Sequence, residues 1–347
     1  MAASGKLTAT DANDLFTDIV SFLTGTPATA GRDWTIIKDW RTESVPENKI
    51  VLKNDGLPGG NDVYIGLYDK SKDGNKHVLF VKTYTYWDSS YDFWDTSFGS
   101  PLGYGDTRCC VPHWNASMDY WIYSNQKRVI LVIKTQNRYG MCYLGSILSY
   151  LPSNEFPQPL ACVADGYTHL TNWGYLDSYD AMLFTHPNGY QSYEQNYRQG
   201  FLWIDPHHSY VQYSTFYRYH GCNAVLTQAN VWSPFFHTAP LRTGYLETDA
   251  LQIYDNTAPY YGSLMGNVPV FFESGEPSVL VPAYVTILDN PNGGVNSDYR
   301  CLVGEWDGVY WVPNNQLTAE STIDTNYTVF PNIDRTTWLD WMAIKEE

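Results

Sequence analysis

The sequence predicts a mainly β protein, with an antiparallel β-sandwich or meander core, one N-terminal amphipathic helix and long aromatic-rich loops. Three observations predict this class. Short runs of β-branched and aromatic residues alternate with Gly, Pro, Asn and Asp turn signals along most of the chain. Aromatic residues make up 16% of the chain and are mostly Tyr and Trp, which suit half-buried β surfaces. One segment alone has the apolar spacing of an amphipathic helix.

The predicted helix lies in the stretch TDANDLFTDIVSFLTGTP. A Thr and Asp cap precedes Leu15, and apolar residues then recur at the spacing of one helix face as far as Leu23. Gly25 and Pro27 end the helix. Its apolar stripe either caps the β core of its own chain or docks on a partner, and we expect it to cap its own core.

The segment after the helix predicts three strands. Each is a short apolar run, and stretches rich in Gly, Asn and Asp, which are typical of turns, separate them. The predicted strands are residues 49–53, 63–68 and 77–86.

Residues 119–150 predict a three-stranded meander. The polar residues 124–127 form a tight turn between two strands, and the short QNR leads into a third run at 139–150. The unbroken VILVI of the middle run indicates a central strand that is covered on both faces.

Proline and glycine concentrate in PSNEFPQPLACVADG, which suggests a domain edge. We expect residues 1–165 to hold the helix and the β core. Residues 166–275 form a Tyr-, His- and Asn-rich middle segment, either a separate domain or an insertion. Residues 276–347 form a C-terminal β segment able to pack on the N-terminal core. Within it, EWDGVYW predicts a β-hairpin with Asp307 and Gly308 at the turn.

The charge balance argues against several classes of function. The chain has 21 Lys and Arg against 37 Asp and Glu, a formal net charge of −16. Because no Lys/Arg cluster is present, we expect no nucleic-acid partner. No stretch reaches the roughly 20 apolar residues of a membrane helix, and no signal peptide is visible, so we expect no membrane insertion. The six cysteines include no C-x-x-C pair, which favours reduced thiols in a protein made in the cytoplasm.

The sequence contains no recognisable motif for catalysis, a cofactor or a metal. Its eight histidines have no H-E-x-x-H spacing, and G-x-S-x-G, P-loop and dinucleotide patterns are absent. DKSKDGNKHVLF matches the opening of a calcium loop, but Phe80 stands where a bidentate Glu is needed, so we interpret it as a hairpin turn. Carboxylate pairs such as Asp92 with Asp95 or Glu273 with Glu276 arise by chance in so acidic a chain. We therefore expect no enzyme activity, no cofactor and no metal.

Aromatic side chains are the best candidates for contact residues. Those in YTYWDSSYDFWD, residues 84–95, suit a subunit interface, where Tyr and Trp are enriched, and suit a sugar-stacking surface equally well. The middle segment carries further Trp among Tyr, Asn and Gln. The candidate interface or glycan-contact residues are Trp87, Tyr91, Trp94, Trp173, Trp203 and Trp232.

Two regions of the chain carry longer sequence patterns. Residues 10–160 contain VLKNDGLPGGNDVYIGLY and DYWIYSNQKRVILVIKTQNRYGMCYLGSILSYLPSNEFPQPL, and residues 300–345 contain GVYWVPNNQLTAESTI and IDRTTWLDWMAI. Together they resemble a group of virion structural proteins of tailed bacteriophages, the second region more loosely, although the glycine-rich turn of that group reads VLKNDGLPGG here. The residues that carry the pattern are Tyr120, Trp121, Arg128, Lys134, Tyr143, Leu144, Gly145, Pro152, Ser153 and Pro157.

The resemblance implies a structural role in the phage particle, in the tail or its baseplate, and it brings no catalytic motif. The implied partners are other copies of the chain and other tail or virion proteins, all synthesised in the host bacterial cytoplasm. The aromatic middle segment leaves open a second function, a host-receptor or carbohydrate-binding module that contacts a host surface glycan. A glycan-degrading enzyme is the third alternative, although nothing in the sequence marks its acid and base.

Overall fold

The protein is mainly β, with one α-helix, in the residues that the computed structural model describes. This confirms the predicted fold class. The described residues are 2–25, 33–56, 61–90, 92–94, 109–135, 138–150, 152–153, 159–166, 198–204, 224–225, 231–234, 280–289, 298–312, 317–331 and 341–346.

The helix α1 spans Ala12–Leu23, and a short 3₁₀ turn spans Trp40–Thr42. The strands are β1 Ala2–Ala3, β2 Leu7–Ala9, β3 Thr35–Asp39, β4 Lys49–Asn54, β5 Val63–Asp73, β6 Lys76–Tyr84, β7 Cys109–Trp114, β8 Met118–Ser124, β9 Arg128–Thr135, β10 Arg138–Ser146, β11 Leu148–Ser149, β12 Leu160–Gly166, β13 Arg198–Ile204, β14 Ala224–Val225, β15 Val231–Pro234, β16 Val281–Asp289, β17 Asp298–Val312, β18 Thr322–Ile323, β19 Tyr327–Pro331 and β20 Trp341–Lys345.

The described strands form two sheets. The first has the order β1-β8-β9-β10-β12-β7-β6-β5-β4-β3; β2 also pairs with β8, and β13 pairs with β12 and β15. The second has the order β14-β16-β17-β20-β19-β18, and β11 pairs with β17. Strands β8, β9 and β10 are the predicted meander, with antiparallel pairing throughout.

Strand β12 joins two halves of the first sheet, because one part of it pairs with β10 and its last two residues pair with β7. The halves β3–β7 and β8–β10 share one apolar core. For example, Leu67 and Leu79 of one half belong to the same buried cluster as Ile122 and Leu131 of the other. We call this cluster the sandwich core.

Helix α1 packs into the sandwich core, as its apolar stripe predicts. The Asp11 carboxylate accepts a hydrogen bond from the Asp14 amide at 2.8 Å and caps the N-terminus. The hydroxyl of Tyr120 on β8 donates to Asp18 at 2.7 Å, which ties the helix to the meander. Within the described residues, no helix has the length and apolar character needed to cross a membrane. The buried helix residues are Ala12, Leu15, Phe16, Ile19, Val20 and Leu23.

Strand β9 is central and covered on both faces, as predicted. Its residues from Arg128 to Ile133 are all buried. Val129 and Leu131 point into the sandwich core. Val132 lies opposite Trp121, whose ring contacts Phe330 of the second sheet. The second sheet therefore covers the outer face of the meander.

The hairpin predicted at EWDGVYW is wrong, because β17 runs unbroken through Asp307 and Gly308. The register with β16 jumps from the pair Pro282–Tyr310 to the pair Tyr284–Glu305, so the Asp-Gly step forms a bulge. Gly308 supplies the positive φ, at 74°. Partner strands on both sides of the bulge outweigh the local turn signal.

Candidate functional site

The predicted contact residues Trp87 and Trp94 belong to an aromatic cluster on the face of β4–β7 that points away from the sandwich core. Both are half-buried. Trp87 packs edge-on against Tyr84, at 5.0 Å between ring centroids, and Trp94 packs edge-on against Phe80 at the same distance. We call this set the outer aromatic cluster. Its members are Trp40, Tyr68, Phe80, Tyr84, Trp87, Phe93 and Trp94.

Two buried lysines contact the rings of the outer aromatic cluster. Lys49 Nζ lies 4.4 Å from the ring centroid of Trp40, and Lys82 Nζ lies 5.2 Å from that of Trp94. A cation over an aromatic face is attracted by the ring quadrupole, more strongly when both groups are desolvated. Lys49 also forms an ion pair with Asp92 at 3.3 Å. The rings are therefore held in a fixed arrangement before any partner binds.

The other candidate contact residues fall in the middle segment or outside the described residues. Tyr91 and Trp173 lie outside the described residues, as do Asp95, Glu273 and Glu276 of the chance carboxylate pairs. Trp203 on β13 and Trp232 on β15 are directly opposite each other in the strand register. The structure thus pairs two of the predicted tryptophans and places two more in one cluster.

Several residues of the sequence pattern at positions 120–157 lie at the contact between the two sheets. Trp121 packs edge-on against Phe330, at 5.0 Å between ring centroids. Tyr143 packs in the same way against Trp306, at 4.7 Å. Such pairs contribute about 0.5–1.5 kcal/mol each beyond their buried area.

Arg128 is the charged anchor of this contact, and its side chain is fully buried. Its Nε lies 3.3 Å from Asp307 Oδ2, and its Nη1 donates to the Tyr123 carbonyl at 3.2 Å. The Asn125 amide donates to the same Asp307 oxygen at 2.6 Å. A buried guanidinium is tolerated only with partners of this kind. Asp307 of the second sheet therefore supplies the negative charge that Arg128 of the meander needs.

Glu320, between β17 and β18, is a second polar anchor. It accepts hydrogen bonds from Lys6 Nζ at 2.8 Å, from the Tyr139 hydroxyl at 2.6 Å and from Lys134. Burial raises the pKa of Glu320, but these hydrogen bonds outweigh it and lower the pKa to about 2. Glu320 therefore stays ionised and joins the N-terminus, the meander and the C-terminal segment.

We expect Glu320→Gln to lower the free energy of unfolding by about 2 kcal/mol at neutral pH, because charge-assisted hydrogen bonds are lost. The pKa of folded Glu320 is below its ordinary value of 4.5, so its contribution is present above about pH 4.5 and is lost as the pH falls toward about 2. Urea unfolding at pH 7 and pH 3 measures this. The wild type should lose more stability than the variant on acidification.

The control for this comparison is Glu43→Gln, because Glu43 is an exposed carboxylate paired with Lys38 at 2.5 Å. An exposed pair contributes about 0–1 kcal/mol, so this variant should follow the wild type at both pH values. Equal acid losses in the wild type and Glu320→Gln would contradict the assigned role of Glu320.

Three further side chains, Asp69, His77 and His113, come together on neighbouring strands β5, β6 and β7. His77 and His113 are register partners, and Asp69 is diagonal to His77, opposite Leu79. His77 Nδ1 lies 3.1 Å from Asp69 Oδ2, and His113 Nε2 lies 3.0 Å from Asp69 Oδ1. We call this group the His–Asp cluster.

The His–Asp cluster is mostly buried. The exposed fraction of the side chain is 1% for His113, 4% for Asp69 and 15% for His77. His113 Nδ1 lies 3.3 Å from the Val111 carbonyl oxygen. His113 Nε2 makes no hydrogen bond of acceptable geometry despite its short distance to Asp69. One buried ring nitrogen thus lies close to a carboxylate without forming a hydrogen bond to it.

The His–Asp cluster was not predicted, because its three residues do not follow any of the short ligand spacings that mark a metal site in a sequence. The predicted hairpin turn in DKSKDGNK is confirmed, and a hairpin of that register would have placed Asp69 beside His77. His113 comes from β7, whose pairing with β6 follows a long connection and has no local signal. Three-strand clusters of this kind become visible only once strand order is known.

No protein-family model matches the chain, and no curated protein does. The described residues define a two-sheet β protein. Trp121, Arg128 and Tyr143 hold the two sheets together, and the outer aromatic cluster and the His–Asp cluster are the candidate sites.

Proposed function

We propose that the chain is a structural subunit of a tailed bacteriophage particle, in the tail or baseplate, that acts by protein–protein assembly and not as an enzyme. One observation carries the proposal. Four residues of the phage-like pattern, Trp121, Arg128, Lys134 and Tyr143, all contact the second sheet or Glu320 beside it. These residues therefore hold the two sheets together and do not form a catalytic site.

The use of these polar groups supports assembly over catalysis. A catalytic acid or base must reach a substrate, whereas Arg128 and Lys134 are occupied by carboxylates of the same chain. The net charge of −16 keeps separate copies soluble by mutual repulsion until specific contacts overcome it. Specific interfaces of this kind usually bury about 1,200–2,000 Å² in total.

The outer aromatic cluster is the assembly surface that we propose. Half-buried Trp87 and Trp94 present rigid apolar area, and Trp and Tyr are the residues that most often dominate binding energy at interfaces. Tyr86 beside them is 38% exposed. Because lysines already fix the rings, little conformational entropy is lost when a neighbour covers them.

The host-glycan function remains the second proposal, supported by the register of β13 and β15. Trp203 and Trp232 are directly opposite each other in the backbone register there, and tryptophan brings a large apolar ring with a polar tip to a binding surface. This function would belong to the middle segment.

Sedimentation velocity of the purified chain tests the assembly proposal. We expect wild-type chains to form a discrete oligomer as concentration rises. The double variant Trp87→Ala/Trp94→Ala should weaken this association roughly 30-fold or more, since even one anchor residue contributes at least about 2 kcal/mol. The matched control is Tyr150→Ala, which removes an exposed aromatic ring on another part of the surface.

A second assay separates assembly from the enzyme alternative. Incubation with host polysaccharide should release no reducing ends. A chain that stays monomeric at every concentration and ignores other virion proteins, or one that does release reducing ends, would remove the proposal.

A further inference from the structure

We propose that the His–Asp cluster binds a divalent transition-metal ion, with Zn²⁺ as the ion that best matches its donors. Asp69, His77 and His113 offer one carboxylate and two imidazoles, the donor types that zinc takes from proteins. The site is independent of the assembly role and adds an activity to the scaffold: metal binding.

The strongest support comes from which ring nitrogen of His113 carries the proton. Its Nδ1 faces the Val111 carbonyl at 3.3 Å, and a carbonyl accepts only, so Nδ1 carries the proton. In a neutral ring, Nε2 then holds a lone pair; it lies 3.0 Å from Asp69 Oδ1 and makes no hydrogen bond. Two lone pairs at that distance repel, whereas a cation bound by both atoms makes the contact favourable.

The distances suit a single ion. Ligand atoms of the three side chains all lie within 4.8 Å of one another. Zinc binds nitrogen and oxygen at about 2.0–2.2 Å, so ligands in one tetrahedron lie about 3.4 Å apart. Two of the three contacts are 3.0–3.1 Å, close to that separation.

The surroundings of the donors also resemble a metal site. The Val111 carbonyl orients the His113 ring, as second partners of ligating histidines generally do. Register pairing of His77 with His113 fixes both on adjacent strands. His77 is the most exposed of the three, so its side is the access route and the place for a water as the fourth ligand.

Calorimetric titration with ZnCl₂ tests the proposal on the full-length chain after dialysis against a chelator. We expect a site at one ion per chain. Asp69→Asn and His77→Ala should each weaken zinc binding more than about 100-fold, which exceeds the usual cost of losing an outer partner. Zinc should also raise the melting temperature of the wild type but not of either variant.

The matched control is Asp55→Asn, which removes the same charge at an 88% exposed position paired with Lys53. It should bind zinc as the wild type does. If Asp69→Asn does not fold, His77→Ala decides alone, because His77 lies at the edge of the cluster. Absence of zinc binding by the wild type, or equal affinity in the wild type and His77→Ala, would overturn the proposal.

Discussion

Replacing Gly145 by Ala is expected to lower the free energy of unfolding by about 4 kcal/mol, combining backbone strain with overpacking against main chain. Gly145 has a φ of 113°, which L side chains rarely adopt. A Cβ there would lie 2.2 Å from the Lys127 carbonyl oxygen and 2.8 Å from Arg128 Cα. Neither neighbour can move without shifting β9, the central strand of the meander.

The matched control is Gly5→Ala, because Gly5 also has a positive φ, 64°, but nothing lies within 4 Å of an added Cβ. Gly5→Ala should lower the free energy of unfolding by only about 1–2 kcal/mol, the cost of the positive φ alone. Denaturant unfolding of both variants measures the difference. Equal costs would show that the close approach of β10 to the turn before β9 is not what requires glycine.

Asp307→Ala is expected to lower the free energy of unfolding by about 3–5 kcal/mol, because it leaves the fully buried Arg128 charge without its carboxylate. The Asn125 amide loses its acceptor at the same time. The loss should appear first as detachment of the second sheet from the meander.

A double-mutant cycle with Arg128→Met identifies the cause. Removing both charges replaces a buried ion pair by apolar volume, which is often neutral or stabilising, so the double variant should be more stable than Asp307→Ala. If the losses in free energy of unfolding of the two single variants simply add in the double variant, the unpaired buried charge is not the cause of the destabilisation.

Local patterns in the sequence predicted much of the fold. The cap and apolar stripe of α1, the strands β4–β6 and the meander β8–β10 follow from spacing and turn residues within short windows. The buried VILVI of β9 could likewise be predicted, because a strand covered on both faces needs apolar residues at every position.

Long-range pairing could not be predicted, since it depends on contacts between distant segments. The position of β12 between β10 and β7, and the packing of the second sheet on the meander, have no local signal. The Asp-Gly step at 307–308 shows the same limit: its turn chemistry is real, but partner strands and Arg128 convert it into a bulge.

One of the two candidate sites could be predicted from the sequence, and the other could not. Composition predicted Trp87 and Trp94 as contact residues, and this stays a prediction; the structure adds the lysines that contact rings of their cluster. The His–Asp cluster was out of reach, because β7 brings His113 to Asp69 only after the sheet has formed.

Cryo-electron microscopy of the intact phage particle is the most direct test of the structural role. We expect symmetry-related copies of this chain in the tail or baseplate, with the outer aromatic cluster buried against neighbouring chains. Absence of the chain from the particle density would contradict the proposed structural role. So would copies whose outer aromatic cluster faces solvent while residues 166–275 project from the distal tip, which would assign the chain to host recognition.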